Sequence, residues 1–170
     1  MAQLKIYNGP MQTTAAPVAV TTGTALKSLL QVKASATLLF KVKGWGYSFS
    51  GFAAAAPGIV ELVEVDAAAT VTASVAADIT KVDGAALLCG DVTTNLIQVG
   101  TSATGYTSTS EGSVTALRNL HPPIQAAPTE HFDFIFPLGD EPIVQVSKFL
   151  RIRVTFGTAV NAFCYVSIEI

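Results

Sequence analysis

The chain has 170 residues, half of them hydrophobic, with only 13% charged and a net charge of −2. That length suits one domain burying roughly 70% of its extended surface, with no need of a disulfide or metal staple. The weak, slightly acidic balance and the lack of a basic tract argue against a nucleic-acid partner. Membrane insertion is also not expected, since the uncharged run 44–60 is interrupted by glycine, serine and Pro57.

In chain order, residues 2–7 (AQLKIY) form the first predicted strand and end at the turn Asn8-Gly9-Pro10. The start carries neither the charged nor the apolar region of a secretory signal, so the protein is expected to be made and kept in the cytoplasm. A Thr/Ala/Pro stretch without helical period follows, and residues 1–24 read as an N-terminal strand plus extended arm. Residues 25–170 are expected to make the main domain.

Residues 26–33 (LKSLLQVK) suit a strand or one helical turn, and 37–49 (TLLFKVKGWGYSF) a long strand. In the long strand, Lys41, Lys43, Trp45, Tyr47 and Phe49 alternate onto one face, while Gly44 and Gly46 suggest a bulge or the close approach of a neighbour. Residues 58–65 (GIVELVEV) are apolar on both sides, as in the middle of a packed sheet. Residues 66–83 read as strand or loop with at most a short helix, and 85–89 and 95–99 as short strands. Residues 100–113 (GTSATGYTSTSEGS) are expected to be a polar loop whose one aromatic, Tyr106, is available for contact.

Residues 114–120 and 131–136 are predicted strands on either side of a Pro-rich segment. The last pair, 149–156 and 162–170, reads as a hairpin-like unit joined through Gly157–Asn161. Leu150, Ile152, Val154 and Phe156 share one side of its first strand; Arg151, Arg153 and Thr155 share the other. Many short strands with regular turns and scarce helix make a two-sheet β-sandwich, jelly-roll-like, the expected fold.

Catalytic signatures are sparse. The two histidines, His121 and His131, accompany no G-x-S-x-G elbow, and Cys89 and Cys164 fit no CxxC spacing and read as small interior hydrophobes. Glu130, His131 and Asp133 form the one ligand-like cluster, but a polar strand face opposite Phe132, Phe134 and Phe136 accounts for it. Asp140-Glu141 reads as a charged turn, and no metal or cofactor is expected. Arg151 and Arg153, on a strand face taken as exposed, either keep an edge solvated or pair with carboxylates of another subunit. Lys41 and Lys43 repeat the arrangement, and Trp45 and Tyr106 complete the candidate interface. High mean hydropathy, +0.48, also points to surface covered by other subunits, although much of it comes from alanine.

The segments IYNGPM, TGTALKSLLQV (22–32), GWGYSF (44–49), GYTSTSEG (105–112) and FPLGDEP…SKFLRIRV (136–154) occur in one order. That order resembles a family of small virion-associated proteins of tailed phages infecting actinobacteria. The likeness spans nearly the whole chain; Asp140 stands where many members carry Arg or Glu. It implies a capsid decoration, or cement, protein on the outer shell. The major capsid protein would be its partner, and a homo-oligomer, with a trimer favoured, its working form. The alternative is a minor tail or fibre accessory whose sandwich binds host glycans through Trp45, Tyr47 or Tyr106.

Overall fold

Alternation of apolar and polar residues over short segments builds strands almost throughout the computed structural model, which describes residues 3–10, 14, 16–82 and 97–170. In chain order the strands are β1 (Gln3–Tyr7), β2 (Val20–Thr21), β3 (Lys27–Ala34), β4 (Phe40–Ser50), β5 (Gly58–Val65), β6 (Thr70–Ala73) and β7 (Ile79–Lys81). There follow β8 (Ile97–Gln98), β9 (Gly105–Ser110), β10 (Leu117–Asn119), β11 (Ile124–Ala126), β12 (His131–Ile135), β13 (Ile143–Val144), β14 (Phe149–Thr155) and β15 (Asn161–Glu169). One 3-10 turn, Ala76–Asp78, precedes β7. The segment 85–89, with Cys89, lies outside the described residues.

Two antiparallel sheets pack face to face. Sheet A has the order β12-β4-β15-β1-β7, and sheet B the order β10-β5-β14-β3-β9-β6. Short β13 and β2 join sheet A, and β11 and β8 join sheet B. The chain visits β1 in A, β3 in B, β4 in A and β5 in B, continues with β10 and β11 in B, then takes β12 in A, β14 in B and β15 in A. This is the doubled Greek key of a jelly roll. The excursion between β5 and β10 adds β7 beside β1 and β9 beside β3, so it widens both sheets along the same side.

The last two strands do not pair as a hairpin. β14 lies between β3 and β5, while β15 lies between β4 and β1 in the other sheet. Each has one apolar face, Leu150, Ile152 and Val154 on β14 and Cys164, Val166 and Ile168 on β15, all buried in the common core. Facing each other across that core buries both stripes, which edge-to-edge pairing would not. Cys164 is a free, buried thiol, and burial pushes its pKa up.

The segment 1–24 is tied into the sandwich at both ends. β1 sits inside sheet A, and β2 pairs with the start of β15. Asn8 prolongs the β1–β15 ladder with its side chain: Nδ2 donates to Ala162 O at 3.1 Å, and Oδ1 accepts from Cys164 N–H at 2.8 Å.

In β4 the register against β15 slips between Ile168, opposite Val42, and Ser167, opposite Gly44. The extra residue, Lys43, is a bulge, and it reverses the alternation. Phe40 and Val42 point into the core before it; Trp45, Tyr47 and Phe49 do so after it. The expected common face of lysines and aromatics is therefore divided. The glycines allow close approach as well: a Cβ on Gly44 would lie 2.8 Å from Phe134 O, and one on Gly46 2.7 Å from Tyr165 Cε1.

Candidate functional site

The residues singled out in the sequence mostly hold the sandwich together. β14 is an interior strand, so Arg151 and Arg153 do not guard an edge, and neither lies on an exposed face. Arg151 is fully buried. Its outward-facing side chain is roofed by the excursion between β5 and β10. Nε donates to Gln31 Oε1 at 2.8 Å, and Nη1 donates to Glu111 O at 3.0 Å and pairs with Glu111 Oε2 at 3.2 Å. Nη2 donates to Ala67 O. Burial pushes the guanidinium pKa down, and the Glu111 carboxylate opposes that shift.

Each partner is itself fixed. Gln31 Nε2 donates to Ala103 O at 2.6 Å, and Gln31 Oε1 accepts from Ala69 N–H at 2.8 Å. Glu111 accepts from Ser28 N–H and Ser28 Oγ, both at 2.6 Å, and from Ser108 Oγ. Fully partnered charge of this kind is tolerated in an interior, and it clasps segments 66–69 and 103–111 to the sheet. Beside it Val63, Val65 and Phe149 form a small second core with Ala68 and Val114. Strand 58–65 is thus covered on both faces, as its apolar run anticipates.

Arg153 pairs with Glu61, directly opposite on β5, at 2.8 Å. Lys41 is exposed, whereas Lys43 is turned by the bulge onto Glu141 at 2.6 Å and Glu169 at 3.3 Å. Glu141 is not a solvated turn residue: its side chain is buried and also accepts Gly139 N–H at 2.8 Å. The bond to Lys43, with that N–H, lowers its pKa to about 2. Trp45 is completely buried, between Tyr47, Phe132 and the edge of His121. Tyr106 belongs to strand β9 and not to a loop. It is half-buried between β3 and β6, and burial followed by the Asp78 charge raises its pKa.

The trio Glu130, His131 and Asp133 is split. Glu130 accepts from Tyr47 Oη at 2.8 Å and Ala127 N–H at 2.9 Å, Asp133 accepts from Tyr165 Oη, and His131 points outward. Among the described residues no three His, Cys, Asp or Glu side chains gather as a metal site, and no helix is long and apolar enough to cross a membrane.

What the sequence reading missed is a cleft of about 550 Å³ on the outer face of sheet A. Tyr7 of β1, Phe163 and Tyr165 of β15, Ser48 of β4, Thr80 of β7 and His131 of β12 line it, together with Pro10 and Pro17. Phe163 is 41% exposed and Tyr7 46%. The Tyr165 ring lies across Gly46, 6.2 Å from the Tyr7 ring, with Lys5 Nζ 5.2 Å above it. Burial first, and then the bond to Asp133, raises the Tyr165 pKa. Alternation did carry a signal: Phe163 and Tyr165 oppose the apolar stripe of β15, and Tyr7 opposes that of β1. Which outer face stays uncovered was not readable from alternation.

Comparison with protein-family models, curated proteins and solved structures returns no match to this chain.

Proposed function

We propose that this protein is a structural component of a phage virion that adheres to the outer capsid surface as a decoration protein. There it bridges neighbouring major capsid subunits as a homo-oligomer, with a trimer favoured. The motif order in the sequence supports this reading, and so does the jelly-roll body, an architecture used by viral capsid domains.

The observation that carries it is the distribution of exposed apolar side chains on a rigid body. Val18 and Phe52 are 80% and 82% exposed at the end of the sandwich where Thr22 N–H meets Val160 O. Leu38, Leu39, Leu138 and Val146 are exposed at the opposite end, where Ser147 N–H meets Ser35 O. A stiff block with an adherent group at each end suits a bridge between two neighbours. Repetition on a lattice multiplies modest contacts by roughly 10²–10⁴.

Sedimentation of the purified protein with undecorated shells tests the reading. Saturable co-sedimentation at a lattice-like stoichiometry, reduced in Phe52→Ser and Leu138→Ser, is the expected result. A folded protein that ignores the shells would end the proposal. Deleting residues 1–24 is a poor test, because it removes β1 from within sheet A.

A further inference from the structure

The cleft on sheet A shares Val18 with the end groups that carry the shell-binding reading, whereas Phe52, Leu38, Leu39, Leu138 and Val146 lie outside it. We infer that it is a binding site for a neutral hexopyranose unit of a glycan. Such a ring has an apolar C–H face and a rim of hydroxyls, and the cleft offers both complements.

Its floor is aromatic and held in advance. Gly46 leaves room for the Tyr165 ring to lie flat on the sheet, and the bond from Tyr165 Oη to Asp133 fixes its orientation. A ring already ordered costs little further entropy on binding. Tyr7 and Phe163 add two half-exposed rings, in a protein that buries Trp45, Tyr47 and Phe49 inside the core. Around that floor stand Ser48, Thr80 and His131, whose side chains make no hydrogen bond among the described residues. They are free to meet hydroxyls.

Two further observations select this ligand class over others. β1 and β15 are paired on both sides, so their backbone groups are occupied and an extended peptide cannot add as a strand there. Recognition has to come from side chains. Among the described residues no arginine lines the cleft, the ammonium of Lys5 is turned over the Tyr165 ring, and the carboxylate of Asp78 accepts Val75 N–H at 2.8 Å, so a phosphate or sialic acid would find no bidentate partner there. The size falls within the roughly 300–1,000 Å³ usual for small-ligand sites.

The test is NMR titration of the full chain with glucose, galactose, mannose, N-acetylglucosamine, and the disaccharides cellobiose, maltose and lactose. Saturable shifts confined to the amides of Tyr7, Ser48, His131, Phe163 and Tyr165 are expected for at least one sugar. Phe163→Ala should weaken that binding by about tenfold while shifting the melting temperature by no more than about 2 °C, because the ring is half-exposed. Absence of a saturable response across the panel overturns the proposal. So do shifts that map elsewhere, or binding indifferent to Phe163→Ala. If Phe163→Ala instead abolishes self-association seen by ultracentrifugation, the cleft is a contact between copies and the proposal also falls.

Discussion

The two outer faces of this sandwich make an instructive pair. On sheet B the outward side chains include Gln31, Arg151, Arg153 and Glu61, polar groups that alternation alone assigns to water; on sheet A they include Tyr7, Phe163 and Tyr165, aromatics that alternation alone assigns to a partner. The chain covers the polar face with its own excursion between β5 and β10 and leaves the aromatic face open. A charged outer face can thus be closed by the fold and an apolar outer face left open. What decides between them is where the excursion between β5 and β10 folds back, a matter of topology and not of residue character.

The largest expected effect tests the closed face. Arg151→Ala removes a fully buried side chain and its bonds to Gln31, Glu111 and Ala67 O, and should cost about 3–5 kcal/mol in denaturant unfolding, with faster proteolysis of segments 66–69 and 103–111. A loss under about 1 kcal/mol would mean the roof does not depend on that clasp. Next, Gly46→Ala forces Tyr165 Cε1 and Phe132 O apart from the new methyl, since both would lie within 2.8 Å of it. The expected cost is about 1–3 kcal/mol, with a change in near-UV circular dichroism as Tyr165 tilts; an unperturbed spectrum would show that the floor of the cleft is soft.

A smaller effect concerns pH. Lys43 and Gly139 N–H hold Glu141 at about 2 against an ordinary 4.5, so its contribution is complete above pH 4.5 and disappears as pH falls towards 2. Asp66, lowered from 3.8 to about 2 by Thr115, acts in the same direction. Stability should therefore decline through this acid window, less steeply in Glu141→Gln, with Asp66 responsible for part of the remaining slope. An identical slope in the variant would remove Glu141 from the account. The smallest effect belongs to the open face: Phe163→Ser should shift stability by no more than about 0.5 kcal/mol, and a larger loss would mean that Phe163 supports the fold.

Most strands could be read directly. β5 matches its predicted bounds, and β4, β12, β14 and β15 lie within a few residues of theirs, because apolar alternation is a local property. The bulge in β4 was flagged by Gly44 and Gly46, yet its consequence, the parting of Lys43 from Trp45, needed the register with β15. β9 was hidden in a run of Thr, Ser and Gly because it has no apolar alternation of its own and is set by pairing with β3 and β6 on either side. The motif segments also changed meaning in three dimensions. Gln31, Glu111 and Arg151 come from three separate motifs and meet at one buried knot. There they close the fold.

The sequence by itself determined the class of the fold, an all-strand sandwich, because period-two patterning and turn residues act over a few neighbours. Tertiary structure alone decided the sheet membership of β14 and β15, the burial of Arg151, and the exposure of Tyr7, Phe163 and Tyr165. Each of those depends on which segment lies above a face, and that is set by pairing between residues dozens of positions apart.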